Sequence, residues 1–437
     1  MDSDSELRGR LANARARTSS AISDLGDDRL LGPKLDSVNP PLWEVGHVAW
    51  FQEKWVLRHA GGRAPLHRDA DGLFDSAAIP HSVRWDLPLW SREETLAYLE
   101  DVLELVLERL DAPDCSDGER YFATYSLHHE EMHQEAFAMS RQALGWPPPP
   151  EPARTTAAEP SRDGGRIVPA GDVEIRGGVL RLGAEASEPF VFDNEKWAHD
   201  VAVAPFRIAR AATTQGEFAA FVDDGGYEDP ELWRGESARL RAAGPPHPIY
   251  WRRGAGGRWE RRAFERWIAL EPERPVVSVS RHEAEAYCRW AGRRLPTEIE
   301  WEAAASGACA PTGRESAASK RRFPWGDAPP DSMRARLDAP ARGCVEVGAF
   351  PRGDAATGCR QMIGNVWEWT SSTLAPYPGF VRDAYAEYSE PWFGTHAVLR
   401  GGSFATSPWL IRTTWRNFYL PERRDVFAGF RTCAIAP

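Results

Sequence analysis

Four consecutive prolines at positions 147–150 divide this 437-residue chain into two stretches with different hydrophobic rhythms. No helix continues through such a run, because each proline lacks an N–H and its ring clashes with the carbonyl four residues back. Before the run, apolar residues recur at three- and four-residue spacing over 6–22, 42–57, 92–110 and 120–144. That spacing predicts four helices, and hence an antiparallel bundle with two longer connections. Ser91, ahead of Glu93 and Glu94, reads as a helix N-cap with acidic residues in the first turn.

Residues 147–165 are rich in Pro, Ala, Thr and charge and have little to bury, which predicts a linker. From residue 166 to 437 the pattern turns to short strand-like runs among Gly and Pro. Examples are Val173-Glu174-Ile175 and 201–208, with a few short helices such as 215–222 and 281–291. The expected organisation is a bundle over 1–146, a linker over 147–165 and a loop-rich α+β domain over 166–437.

Charge narrows the partners. A formal net charge of -11 with no concentrated basic stripe argues against a nucleic-acid surface and leaves small molecules as the expected ligands. No stretch approaches the roughly 20 apolar residues of a membrane span. The acidic start Met1-Asp2-Ser3-Asp4-Ser5-Glu6, with no apolar run behind it, does not read as a signal peptide. The six cysteines lack CxxC pairing, so neither a zinc knuckle nor a disulfide framework is indicated, and a cytoplasmic setting is expected. Nineteen Trp call for a fold that packs large rings among many loops.

Chemistry enters at Leu127-His128-His129-Glu130-Glu131-Met132-His133-Gln134-Glu135. Two histidines four apart on a helix lie on one face with Cβ atoms roughly 6 Å apart, a spacing that lets both imidazoles reach one transition ion. Glu135 points about 200° away from His133. Its expected place is therefore beside the ligands, orienting an imidazole, with His128 packing nearby or sharing that role.

The candidate third ligand is His47, on the stripe of Trp43, His47, Trp50 and Phe51. An imidazole there needs a partner, which is either a ligand role or a hydrogen bond inside an ordinary core. Facing helices of a bundle are common places for metal sites, and this favours a shared triad of His47, His129 and His133. Three neutral imidazoles suit zinc, copper or iron, so ligand type leaves the metal open.

Taken together these motifs resemble a known family. The His129-x3-His133-x-Glu135 run with Trp43-x3-His47 looks like the DinB-like bundle of the nonheme iron sulfoxide and selenoxide synthases of ergothioneine, ovothiol and selenoneine biosynthesis. The second half resembles the formylglycine-generating-enzyme or sulfatase-modifying-factor fold, a C-type-lectin-like α+β domain that those proteins carry. The matching motifs are Pro275-Val276-Val277-Ser278-Val279-Ser280, Ala286-Tyr287-Cys288-Arg289-Trp290, Arg294-Leu295-Pro296-Thr297-Glu298-Ile299-Glu300-Trp301-Glu302, Gly364-Asn365-Val366-Trp367-Glu368-Trp369-Thr370, Leu399-Arg400-Gly401-Gly402-Ser403 and Gly429-Phe430-Arg431. Formylglycine-generating activity itself is not expected, because Ser403 is followed by Phe404-Ala405-Thr406-Ser407-Pro408 with no cysteine before Cys433.

The resemblance implies an Fe(II)- and O2-dependent enzyme that joins a chalcogen to imidazole C2 of hercynine, the betaine of histidine. It also implies Tyr385 as a catalytic phenol, with the structural alternative of a packed loop tyrosine. Asn417 and Phe418 would hold hercynine, by an amide and by an aromatic face to the trimethylammonium; a turn-stabilising Asn417 is the bland alternative.

The donor is read from departures. Relatives that use γ-glutamylcysteine carry two arginines three apart in the bundle loop and an Asp-x3-Arg near the carboxyl end. Here those places hold His81 and Arg84, and Tyr419-Leu420-Pro421-Glu422-Arg423. Lost charged clamps, each worth roughly 1.5–3 kcal/mol, together with Tyr419 and with Met132 between the helix ligands, make the chain look closest to selenoneine synthases. The expectation is therefore a selenosugar donor, with substrate contacts from His81, Arg84, Met132, Asn417, Phe418, Tyr419 and Arg423. The alternative is an ergothioneine-type sulfoxide synthase using cysteine or γ-glutamylcysteine. Two further alternatives stay open at this point, a non-catalytic metal-stabilised binding module and an oxygen-independent thiol transferase on the same bundle.

Overall fold

Helix ends in the first half are written in side chains. The Ser116 hydroxyl accepts from Glu119 N at 3.2 Å while Glu119 Oε2 accepts from Ser116 N at 2.8 Å. This capping box starts the longest helix three residues earlier than the apolar spacing suggested. Ser91 and Glu94 close an identical box, as expected of Ser91.

The computed structural model describes residues 4–150, 171–307, 309 and 320–435. Two compact units result, Met1–Thr155 and Thr156–Pro437. Most of the linker expected over 147–165 lies outside the described residues, as does the start of the domain expected from 166.

In the first unit, α1 (Asp4–Ser20), α2 (Pro41–Gln52), α3 (Ala70–Phe74), α4 (Arg92–Asp111) and α5 (Asp117–Leu144) form the bundle, with α3 a short cross-piece in the loop between α2 and α4. Helix α2 packs on α3, α4 and α5, and α1 packs on α4 and α5. The second helix does not stop at Gln52 but runs on as a π-helical segment (Glu53–Ala60). Apolar spacing cannot separate the two forms over so short a stretch. Glu53, fully buried there, accepts hydrogen bonds from Tyr98 Oη and from Leu66 N at 2.8 Å.

The back of α5 is fixed by charge. Arg15 Nε and Nη2 reach the two oxygens of buried Glu130 at 3.0 and 3.2 Å, Thr18 Oγ1 donates to Glu130 at 2.7 Å, and Arg15 Nη2 also donates to Gln52 Oε1 at 3.0 Å. One guanidinium therefore ties α1, α2 and α5 at the level of His129.

The second unit is built from short strands. One sheet has the order β1 (Asp172–Ile175), β4 (Phe206–Ala209), β13 (Cys433–Ala434), β8 (Arg293–Arg294). Another runs β11 (Asn417–Tyr419), β10 (Ala397–Arg400), β9 (Trp367–Thr373), β12 (Ala428–Gly429). A hairpin of β2 (Gly178–Leu182) with β3 (His199–Val203) and a meander of β5 (Trp251–Arg253), β6 (Trp259–Ala263) and β7 (Arg266–Ala269) complete the strands. The run expected as one strand over 201–208 is two, broken at Pro205 and shared between two sheets. Helices α6 (Gln215–Asp223) and α8 (Arg281–Trp290) stand where expected; α7 (Glu236–Ala243) and α9 (Glu298–Ser306) were not foreseen.

The motifs that carried the family resemblance turn out to be the buried ionic skeleton of this unit. Arg431 pairs bidentately with Glu368 at 2.6 and 2.7 Å, and Trp301 Nε1 donates to the same carboxylate at 2.7 Å. Arg416 pairs with Glu298 at 2.9 and 3.0 Å, and Arg400 with Glu302. Charges removed from water this completely persist because each is matched and further hydrogen-bonded.

Candidate metal centre

Helix α2 presents His47 and α5 presents His129 and His133 to the same point. One nitrogen from each lies within 4.8 Å of the other two, and the three ring centroids form a triangle of 5.1, 5.2 and 4.5 Å. His129 Nε2 and His133 Nε2 are 3.3 Å apart. That is roughly the edge spanned by two nitrogens each about 2.1 Å from one ion.

Each imidazole is held differently. His47 Nδ1 donates to the Phe74 carbonyl at 2.8 Å; a carbonyl can accept alone, so the proton sits on Nδ1 and Nε2 presents a lone pair. His133 Nδ1 faces Glu44 Oε1 at 2.7 Å, which by the same reasoning leaves its Nε2 to bind. The Nδ1 of His129 has no hydrogen-bond partner among the described residues. Its ring is instead stacked on Phe51 at 3.7 Å and 8°.

Burial, followed by the neighbouring His133, holds His47 well below the usual imidazole range, and the same two causes act on His129. Both are thus neutral near pH 7, the state in which a histidine can ligate. Three converging imidazoles make a triad suited to one divalent metal such as Fe(II).

The approach of α3 makes this possible. Trp43 Nε1 donates to the Leu73 carbonyl at 2.7 Å and His47 to that of Phe74, so two carbonyls left without helical partners at the end of α3 are satisfied from α2. Gly46 permits the contact, because a Cβ there would stand 2.3 Å from Phe74 Cε1.

The carboxylate at a ligand imidazole is therefore Glu44, and the second orienting group is a backbone carbonyl. Glu135 is buried on α5, and His128, also buried, lies 3.5 Å from Glu131; the orienting role expected of them is filled from α2 and α3. Glu44 precedes His47 by three residues on α2, but the imidazole it meets is that of His133 on α5. Met132 sits half-buried on α5 between the ligands.

His81 and Arg84, expected as substrate contacts, are engaged within the chain. His81 Nε2 is 2.6 Å from the Val38 carbonyl, and Arg84, 8% exposed, donates to Asn39 Oδ1 at 2.6 Å. In the second unit, Asn417, Phe418 and Tyr419 form β11, at the end of its sheet, all half-buried. Phe418 meets Tyr388 at 6.0 Å and His396 at 5.9 Å. Tyr388 is stacked on Phe192 at 4.6 Å.

Tyr385 is half-buried at the head of the turn Ala386–Tyr388. Its loop is moored by Ser389 Oγ donating to Asp193 at 2.5 Å and by Lys196 on Asp383 at 2.6 Å. No motif pointed to Asp193. Arg423 is bidentate to Asp425 at 2.6 Å and 5.2 Å from the Tyr419 ring.

Fold and site together define a class, a DinB-type bundle with a three-histidine metal centre joined to a sulfatase-modifying-factor domain. Family models agree, the DinB superfamily over residues 10–137 and the sulfatase-modifying factor enzyme 1-like domain over 157–436. Among characterised relatives, hercynine oxygenase of Mycobacterium tuberculosis is 40% identical over 99% of each chain, and that of Mycolicibacterium smegmatis 38% over 97% of each. The chain belongs to the hercynine oxygenase family and is an oxidoreductase. A formylglycine-generating enzyme of Streptomyces coelicolor is 33% identical over 65% of this chain and 95% of its own. Among the described residues no helix is long and apolar enough to cross a membrane.

Proposed function

We propose that this protein is an Fe(II)- and O2-dependent hercynine oxygenase that joins a chalcogen, sulfur in the first reading, to imidazole C2 of hercynine. The observation that carries this is the convergence of His47, His129 and His133 on one point in a chain matched over 99% of its length by a hercynine oxygenase. Forming a sulfoxide from hercynine C2 and a thiol takes one atom of dioxygen into the product. The other leaves as water, with one hydrogen from C2 and one from the thiol.

Ferrous iron, when bound, supplies redox chemistry with dioxygen and positions for the reacting groups. The chain's residues do the rest. Glu44 and the Phe74 carbonyl hold two ligand rings in the binding tautomer. Asn417 offers an amide and Phe418 an aromatic face suited to a betaine's carboxylate and trimethylammonium. Tyr385 is assigned the phenol that gives up a proton.

A second reading, a selenosugar donor, is favoured by a specific observation. His81, Arg84 and Arg423, which stand where a peptide-thiol clamp is expected, are each taken up by groups of this chain. Tyr419 and Met132 add neutral surface, which suits an uncharged donor.

A competition assay decides. Iron-loaded protein is offered hercynine with cysteine, γ-glutamylcysteine, a thiosugar and a selenosugar, and products are read by mass spectrometry. Hercynine-dependent carbon–sulfur product is expected. Predominant carbon–selenium product moves the assignment to the second reading, and no adduct from any donor overturns the function.

A further inference from the structure

Arg84 stands at a position where relatives are expected to grip a donor, yet its surroundings face the metal centre. Its guanidinium carbon lies 3.9 Å from the centroid of the Trp43 ring. Its Nη1 donates to Asn39 Oδ1 at 2.6 Å and its Nη2 to the Ile79 carbonyl at 3.4 Å. Trp43, 1% exposed, is in turn parallel to the His47 imidazole within 7° at 4.9 Å.

We infer that Arg84 is a positioning residue for the ligand His47, acting through Trp43, and not a group that binds the chalcogen donor. The inference rests on His47, His129 and His133 being a metal site.

The physical need is rotational. The hydrogen bond from Nδ1 to the Phe74 carbonyl fixes where the edge of His47 points, but leaves the tilt of its plane about that bond soft. A ring stacked face to face removes that freedom. Trp43 serves as such a plate because its own plane is pinned twice, by Nε1 on the Leu73 carbonyl at 2.7 Å and by the guanidinium over its ring.

Arginine is suited to the second task and lysine is not. A planar fork stacks on an indole while donating sideways to Asn39 and Ile79, whereas an ammonium has no plane to stack. His47 has a looser neighbour of the same kind on Trp50, 5.7 Å and 26° away, with the Lys54 ammonium 4.5 Å from that ring. His129 is stacked on a different kind of plate, the Phe51 ring, at 3.7 Å and 8°.

Metal-free wild type, R84M, R84K and W43F are titrated with Co(II), reading affinity and the visible ligand-field bands, with thermal melting as a control for folding. KM for the donor is measured on the iron-loaded forms. Expected are a 10–100-fold loss of Co(II) affinity in R84M, the range typical for losing a group that orients a ligand, and altered bands. Donor KM is expected to change less than about threefold.

R84K is expected to melt like wild type without recovering the affinity, because it keeps charge but not the stack. W43F, which keeps a ring but loses the Leu73 bond, should weaken Co(II) binding in the same direction even if R84M fails to fold. The inference is overturned if R84M or W43F binds Co(II) like wild type, if R84K recovers full affinity, or if R84M raises donor KM with metal binding intact. Wild-type protein that takes up no cobalt at all overturns the metal site itself.

Discussion

Glu44 is the residue whose role the structure adds most directly. Removing its carboxylate frees His133 Nδ1, which stands 2.7 Å away, so the ring can turn and the tautomer is no longer fixed. E44A is therefore expected to lose about 10–100-fold in metal affinity. E44Q, whose amide oxygen still accepts from Nδ1, should lose less; a metal titration of the two variants checks the order. The two ligands on α5 were legible from spacing alone, and His47 from an imidazole on an apolar stripe. Glu44 was not, because a search for an orienting carboxylate along α5 finds Glu135, and helical phase turns that residue away from His133. The partner comes from a facing helix, a pairing across 89 residues that no local pattern encodes.

At the scale of elements, the centre depends on two packings, α3 against α2 and α1 against α5. G46A tests the first. A methyl 2.3 Å from the Phe74 ring forces that ring or α3 to shift, and G46A is expected to disturb the carbonyl contacts to Trp43 and His47. A cost of about 1–3 kcal/mol with weakened metal binding is expected from denaturant unfolding and titration. R15M tests the second. It leaves Glu130 buried without its cation, and removing one partner of such a pair costs about 3–5 kcal/mol. The expected result is a bundle that unfolds at markedly lower denaturant, against near-wild-type behaviour if the pair were solvated. Elements were legible where side chains write their ends, as Ser91 does. They were illegible where the outcome depends on backbone phase, as in the π-helical segment carrying Glu53, or on one proline, as at Pro205.

For the whole molecule, fold and chemistry were encoded in different residues. The second-unit motifs recognised in the sequence supply both partners of Glu368–Arg431 and Glu302–Arg400 and the carboxylate of Glu298–Arg416, buried pairs that fix architecture and say nothing of the reaction. The reaction is written in the bundle histidines, and these set a pH dependence. Because His47 and His129 titrate below their usual 6.5 when folded, the unfolded chain takes up more protons as pH falls through that value. Their contribution to stability is complete above about pH 7 and is lost progressively below 6.5. Metal affinity falls in the same direction. Melting of metal-free protein between pH 8 and pH 5.5 should show a plateau and then a decline; a rise toward acid would contradict buried neutral imidazoles.

The most direct measurement of the central claim is oxygen uptake. Protein loaded with Fe(II) under anaerobic conditions is mixed with hercynine and donor, oxygen is admitted, and consumption is followed beside H129A and H133A. Uptake that requires hercynine, yields a C2-chalcogen product and vanishes together with iron binding in both variants is the predicted result. Uptake indifferent to hercynine, or normal turnover in H133A, would contradict it.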